Sequence, residues 1–303
     1  MTISVVITTS NGEKYISEQL DSIVSQKRKA DEIVIVDDCS TDSTIATVRG
    51  FCDSTDTIRL HQNESNQGWR KNFHLAIKKS VGDIIVLCDQ DDIWYENKLE
   101  IVESVFSSHP EIDLLVSEFD ELEHGKLKKK CRSEQLSPIM PNEKLIHTYY
   151  PGCTYAFRRT LFNTIEPFWN DELPHDAQLG IAAKIYHSMY VYQWPLIIYR
   201  RHQNNATKRT RPSLDKKISY VNAEYAYFVF ANKIIESETR PIPNIENTRR
   251  IIEEVRSYID ARKELLNNHS FANIMTALGH VKNYYSTKTC LGDIVFALRN
   301  NGK

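Results

Sequence analysis

Long apolar runs, paired cysteines and a strong charge of either sign are all missing from this 303-residue chain, and each absence removes a class of function. No stretch approaches the ~20 consecutive apolar residues of a membrane-spanning helix, so the chain is not expected to cross a bilayer. Its six cysteines (Cys39, Cys52, Cys88, Cys131, Cys153 and Cys290) form no C-x-x-C pair. That argues against zinc and for reduced, structural thiols in a cytosolic setting. A formal net charge of −2 leaves no global field to recruit nucleic acid or anionic membrane. The G-x-G-x-x-G fingerprint is absent after the first strand-like run, so a dinucleotide dehydrogenase is not expected. That run, "ISVVIT", follows almost directly on Met1 and leaves no room for a signal peptide. The Asn-x-Ser/Thr triplets at Asn63, Asn205 and Asn268 therefore carry no expectation of glycosylation. Neither a repeat nor a low-complexity tract is present.

What remains is a chain of ordinary globular composition, large enough for a core domain with an appendage. Over the first 120 or so residues strand and helix patterns alternate. Ile3–Thr8, Ile33–Val36, Ile58–His61, Ile84–Cys88 and Asp113–Ser117 read as strands. Between them, Tyr15 to Val24, a helix through Val48 and Phe51 capped by Ser40 or Asp42, Lys71–Lys79, and Leu99 to Phe106 read as helices. This order predicts a mostly parallel α/β sheet with helices on both faces. From Leu122 to Pro151 regularity lapses, and "EHGKLKKKCRSEQ" reads as a solvated hairpin or loop. Cys153–Phe157 resumes strand character, "RRTLFNTI" looks helical, and Val191–Tyr192 with Leu196–Tyr199 suggest a strand pair near Pro195. Beyond Pro212 only helical spacing is found, which divides the chain into residues 1–212 and a helical appendage of three or four helices over 213–303.

The most informative segment is "IIVLCDQDDIWYENKLE" (Ile84–Glu100). A buried strand runs straight into Asp89, Asp91 and Asp92. Carboxylates packed at such an edge repel unless a cation sits between them. Mg²⁺ and Mn²⁺ prefer oxygen ligands, with Mg²⁺ held by one or two carboxylates plus substrate phosphates. A solvated acidic turn before a helix N-terminus is the plainer alternative. Three further polar clusters follow other strands: Thr8 to Gly12, Asp37 to Asp42, and Asn63 to Arg70. Strand ends at one edge of a parallel sheet converge, so all four loops can surround one ligand.

These segments, "VVITTSNGEKYISEQLDSI", "EIVIVDDCSTDST", "NQGWRKNFHLAI" and "LCDQDDIWYENKL", resemble in order and spacing the signatures of family 2 glycosyltransferases with the GT-A fold. "DQDDIW" is similar to the bacterial rhamnosyltransferase-like branch that builds capsule, O-antigen and cell-wall polysaccharides. The resemblance covers roughly residues 1–205. It implies an inverting, metal-dependent hexosyltransferase using Mn²⁺ or Mg²⁺, a dTDP-rhamnose or UDP-hexose donor, and a saccharide or lipid-linked saccharide acceptor. It also implies a cytoplasmic location, at the inner face of the cell membrane where the acceptor is lipid-linked.

Position by position, the resemblance puts Thr8, Ser10 and Glu13 at the nucleotide pocket. Asp38 would accept from the pyrimidine N3–H, while Asp37 orients its loop or caps a helix. Asn66 and Gly68 would shape the turn beside the base, and Arg70 or Lys71 would reach a phosphate or remain a solvated charge. Asp89 falls at the ribose, Asp91 at the metal, and Asp92 behind that ligand or on the acceptor side. "ELPHDAQLGIAAKIY" matches the acidic catalytic position in an "HD" form. Asp176 would be the general base and His175 its neighbour or an acceptor contact, a capping role for Asp176 being the alternative. In "YRRHQNNATKRTR" (Tyr199–Arg211), Arg201 would touch the diphosphate and His202 the metal, against the plain reading of a solvated charge run. Trp69 and Trp94 read as packing residues, Trp94 with the option of stacking on a sugar.

Three other readings stay open: a nucleotidyltransferase, a receiver-like module and a non-catalytic nucleotide-sugar-binding protein. The first usually shows a Gly-rich basic first loop, and "TTSNGEKY" has one Gly and one Lys. The second leaves everything past residue 120 or so unexplained. Metal-dependent donor binding separates the second and third from a transferase. In the appendage, the amphipathic pattern of "CLGDIVFALRN" (Cys290–Asn300) suits a peripheral bilayer contact. Packing on the core or a homodimer contact suits it equally.

Overall fold

Successive side chains of a strand face opposite ways, and in the first strand both directions are apolar. In the computed structural model, which describes residues 1–202, 212–237 and 239–300, β1 (Ile3–Thr9) sends Ile3, Val5 and Ile7 into one apolar cluster and Val6 into another. Such a strand needs cover on both faces, which a parallel α/β sheet supplies. β1 runs parallel to β2 (Glu32–Asp37) and β4 (Ile84–Cys88) on either side, and β3 (Ile58–Gln62) is parallel outside β2. Helices α1 (Ile16–Val24), α2 (Thr44–Cys52) and α4 (Lys98–Ser108) cover the Val5 face through Leu20, Val48 and Val102. Helix α3 (Trp69–Lys79) covers the Val6 face through Phe73, Ala76 and Ile77.

The second half extends the sheet past β4 with mixed polarity. β9 (Tyr155–Arg158) is inserted antiparallel between β4 and β6 (Leu114–Glu123). Parallel to β6 lies β10 (Met189–Arg201), which carries the antiparallel β5 (Ile93–Trp94) and β8 (Leu136–Pro138). β7 (Lys126–Lys128) turns back on β6 through His124 and Gly125, both at positive φ, so the expected hairpin is present. The strand pair expected near Pro195 is instead one strand, β10. Its register on β6 shifts on both sides of Pro195, because proline has no N–H for the ladder and a bulge absorbs it without a turn. The expected cap of α2 also differs. Ser43 holds the N-cap position, Ser40 instead bonds Asp37, and Asp42 accepts from the Thr44 N–H at 3.0 Å.

Helices α5 (Arg159–Ile165) and α6 (His175–Ile185) return to the Val6 face. The helical region holds α7 (Leu214–Ser237), α8 (Ile245–Asn267), α9 (Phe271–Gly279) and α10 (Thr287–Asn300). Val221, Ile234, Val255 and Ile259 of α7 and α8 belong to the same apolar cluster as Leu179 of α6 and Val6 of β1. Its polar interior is a chain of charges. Arg262 donates to Asp293 at 2.8 Å and to Glu224 at 2.7 Å, Lys217 donates to Asp293, and Tyr258 caps Glu224 at 3.0 Å. Among the described residues no helix is long and apolar enough to cross a membrane.

Candidate active site

The loops leaving β1, β2 and β4 meet at one sheet edge and, with the α3 and α6 N-termini, line a cleft of about 650 Å³. From the first half of the chain Thr8, Ser10, Asp38, Asn66, Gly68, Asp89 and Asp91 reach it, and from the second half His175, Asp176 and Arg201. Three residues expected with them are not in its lining. Glu13 accepts from the Ser43 N–H at 2.9 Å, where a carboxylate suits the start of α2. Arg70 lies over the Trp69 ring, 4.7 Å from its centroid. His202 bonds Asp91, Nε2 to Oδ2, at 2.6 Å. The rest of the cationic run, residues 203–211, lies outside the described residues.

The nucleotide-side loops are tied to one another by their own polar groups. Asp38 accepts from Asn63 Nδ2, Gln67 N and Gly68 N at 2.7–2.9 Å, so its carboxylate shapes the 66–68 turn from below. Gly68 has φ 76°, a conformation that favours glycine. Asp37 accepts from Thr9 Oγ1 and from Ser40, a loop-orienting role. Gln90, unassigned by sequence reasoning, spans the first and fourth loops. It accepts from Ser10 N at 2.9 Å and donates to Ser10 O at 3.2 Å. A Cβ on Gly12 would stand 2.3 Å from its Oε1, so only glycine admits this lock.

The acidic cluster is more buried than its sequence suggests. Burial, then the charges of Asp92, Asp91 and Asp176, push the Asp89 carboxyl well above the usual carboxylate range. Burial and then Asp91 push Asp92 up to about 7. Asp92 is fully buried behind the cleft, accepts from the Arg200 N–H at 3.0 Å, and has no partner for Oδ2 among the described residues. Asp89, Asp92 and Cys153 bring one potential ligand atom each within 4.8 Å of one another. That trio fits a hard cation poorly, because burial and the two carboxylates raise the Cys153 thiol and keep it protonated. Two cations missed by sequence reasoning hold the cluster. Lys98 is buried beneath it, 4.2 Å from the Trp94 ring, donating to Cys153 O at 3.1 Å, and burial lowers it to about 8. Arg200 donates to the Asp91 carbonyl at 2.8 Å and to Glu18 at 2.5 Å.

The opposite wall comes from the second half. Asp176, in the first turn of α6, is raised by burial to about 6 and accepts from the Ala177 N–H. His175 is buried against Phe73, ring centroids 3.9 Å apart, and burial holds it neutral, down to about 3. Neither of its ring nitrogens has a partner among the described residues. A Cβ on Gly152 would meet its Nε2 at 2.4 Å, so this glycine lets the backbone pass the imidazole. Arg201 donates to Glu121 at 3.0 Å and stacks on Tyr199, while its Nε, also in the lining residue, has no partner there. The wall is completed by Tyr149, Tyr150 and Pro151, from the stretch in which sequence regularity lapses, and by Gly152 just after it. Of the two tryptophans read as packing, Trp94 is buried as expected, but Trp69 is 41% exposed and lines the cleft.

Comparison with known proteins bears on this geometry. The model of glycosyl transferase family 2 matches residues 4–165. The dTDP-rhamnosyl transferase RfbG of Shigella flexneri is 31% identical over 214 residues, 66% of this chain and 72% of that protein. The poly(ribitol-phosphate) beta-N-acetylglucosaminyltransferase TarS of Staphylococcus aureus strain MW2 is 28% identical over 189 residues, 61% of this chain. The match spans only 32% of TarS's length. The crystal structure of S. aureus TarS 1-349 in complex with UDP-GlcNAc superposes with a TM-score of 0.67 at 19% identity, covering 93% of this chain and 80% of that one. This likeness extends the shared fold to nearly the whole chain.

Proposed function

Because the chain belongs to glycosyl transferase family 2, we propose that it moves a sugar, with inversion, from a nucleoside-diphosphate sugar to a saccharide acceptor in bacterial surface polysaccharide synthesis. The observation that carries this reading is the meeting of Asp176 with Asp38, Asp89 and Arg201 in one cleft. Residues 1–212 would carry the transfer, the helical remainder supporting the Val6 face. On the donor side Thr8, Ser10, Asn66 and Gly68 hold the nucleoside, with Asp38 offering its carboxylate to the base. Asp89 lies at the ribose, and Arg201, with an unspent Nε, reaches the diphosphate.

For the transfer, the acceptor hydroxyl oxygen bonds to the anomeric carbon as the bond from that carbon to the diphosphate oxygen breaks. The hydroxyl proton passes to Asp176, and the electron pair of the broken bond leaves on the nucleoside diphosphate. A carboxyl raised to about 6 is unprotonated at neutral pH yet more basic than an ordinary aspartate, which suits a general base. His175 is neutral and packs the acceptor side of the cleft.

Asp91 and His202 fit a divalent cation. They bond each other directly at 2.6 Å, a contact that a cation would replace, and would offer it a carboxylate oxygen and an imidazole nitrogen of the kind Mn²⁺ accepts and Mg²⁺ takes less readily. A bound cation would supply positive charge against the diphosphate as negative charge grows there. Two donors are consistent with the relatives: dTDP-rhamnose, by analogy with RfbG, and a UDP-hexose, by analogy with the UDP-GlcNAc complex of TarS.

Calorimetric titration with UDP and with dTDP, each in Mn²⁺ and in EDTA, tests the reading and chooses between the two. One nucleotide is expected to bind only with the cation, and Asp91→Ala is expected to lose that binding. Absence of binding to either nucleotide under every condition would overturn the proposal.

A further inference from the structure

The last two helices present a surface unlike that of the helix before them. The exposed face of α8 is charged in both signs, with Glu253, Arg256, Asp260, Lys263 and Glu264. On α9 the exposed side chains Phe271, Met275 and Leu278 recur at i, i+4 and i+7, and on α10 Leu291, Val295 and Leu298 do the same. That spacing makes one stripe per helix. Phe271 is 71% exposed and Leu298 57%, far from the partial exposure of a core margin. Between the helices Val281 and Tyr285 are exposed as well.

The exposed charges within this stretch are of one sign. From Phe271 to Arg299 they are Lys282, Lys288 and Arg299, and the single acid of the stretch, Asp293, is buried against Lys217 and Arg262. Lys282 is paired with Glu254 of α8 at 3.1 Å, so Lys288 and Arg299 carry the local positive charge. A net charge of −2 for the chain conceals this local segregation. Apolar stripes bordered by cations, with carboxylates confined to the α8 flank, match an interfacial layer of anionic lipid, where apolar side chains enter the acyl boundary and long cations stay at the headgroups. A second copy of the chain is a poorer match. A twofold contact would set the cationic α10 side of this patch, with Lys288 and Arg299, against itself, and lysine is depleted at protein–protein interfaces.

The surface also reaches the cleft. Tyr285 stacks on Tyr149, ring centroids 5.1 Å apart and 17° from parallel, and the Tyr149 hydroxyl donates to Tyr285 O at 3.3 Å. Tyr149 is part of the cleft wall. We infer that the α9–α10 face docks the protein on a bilayer containing anionic lipid, with the Tyr149–Tyr285 stack joining the docked face to the mouth of the cleft. Docking itself does not depend on the sugar-transfer reading; its use, to bring the cleft to an acceptor anchored in the same bilayer, rests on that reading.

Vesicle flotation of the full chain tests the inference without any donor present. Binding is expected to vesicles of phosphatidylglycerol and phosphatidylcholine, with little to phosphatidylcholine alone, and to weaken as salt is raised. The double variant L291E/L298E should lose at least about tenfold in partitioning, and K288Q or R299Q about fivefold each. All four sites are exposed, so thermal melting by circular dichroism should match the parent. Failure of the parent to float with anionic vesicles, or full flotation of L291E/L298E, would overturn the inference. So would a parent dimer that L291E/L298E dissociates while vesicles go unbound, which would assign the face to a second copy. Vesicle binding by a protein that binds no nucleotide would leave docking standing and remove the transferase reading alone.

Discussion

Two of the buried charge systems among the described residues invite comparison, and of these two the one around the cleft opens to solvent. Around the cleft, Asp89, Asp92, Asp176 and Lys98 all have ionisation displaced by burial. In the helical region Arg262, Glu224, Asp293 and Lys217 are as rich in charge, yet each finds its partner inside the network. Neither burial nor charge density distinguishes a site from a structural staple. The distinction lies in what is left over. The cleft system keeps Arg201 Nε, Asp92 Oδ2 and both His175 nitrogens without partners among the described residues, and three of those four atoms belong to residues lining a cavity. Apart from Glu224 Oε2 the helical network spends its polar atoms on itself.

Substitutions that separate chemistry from folding sharpen this contrast. The largest effect is expected from Asp176→Asn, which removes the proton acceptor. Turnover should fall by about 10²–10⁴-fold, with the donor dissociation constant and the melting temperature little changed. A variant retaining parental turnover would break the assignment of Asp176. Arg262→Ala is the counterpart in the helical network, where it leaves Glu224 and Asp293 buried without their cation. A loss of about 3–5 kcal/mol in chemical denaturation is expected, and donor affinity measured well below the melting point should stay at the parental value.

A smaller effect is expected from Arg201→Ala, the loss of one charge-assisted contact to the donor diphosphate, worth about 1.5–3 kcal/mol. Donor binding should weaken by roughly 10–150-fold, while the nucleoside alone binds as before. Equal weakening of nucleoside and nucleotide would place Arg201 elsewhere.

The pH profile is the finest of these tests. Asp176 must be unprotonated to accept a proton, and burial raises it to about 6. The logarithm of kcat/KM should therefore be flat above about pH 6 and fall below it by about one unit per pH unit. The Arg70 charge opposes this rise, so Arg70→Gln should move the acidic limb to higher pH. A limb that stays put in Arg70→Gln, or survives in Asp176→Asn, belongs to another group.

How far each region was legible follows from how local its signals are. The strands and the four polar loops could be located because burial of both faces leaves an apolar run, and the polar residue ending it marks the sheet edge. Ile84–Cys88 ending at Asp89 is the plainest case. The same logic misread Val191 to Tyr199 as two strands, because Pro195 marks a turn as readily as a bulge. Trp69 was taken for packing, since an aromatic at the start of a helix looks alike whether it faces the core or a cleft. The wall at Tyr149 to Gly152 has no periodicity, so nothing local announced it. Net charge, a sum over the chain, hid the cationic edge of α9 and α10.

Sequence alone determined the sheet-and-helix order, the strand ends where ligands gather, and the Asp and His types placed there, because periodicity and strand termination are properties of neighbouring residues. Tertiary structure decided which charges meet. Lys98 came to lie beneath Cys153 and Asp92, and Arg200, a residue given no role from sequence, secured Asp91 and Asp92. Lys98 and Cys153 are 55 residues apart in the chain, and Arg200 and Asp91 are 109 apart. Only the packing of β4, β9, β6 and β10 in that order in one sheet sets their distances, and in a low-dielectric interior that distance decides whether a charge is a partner, a staple or a reactive group.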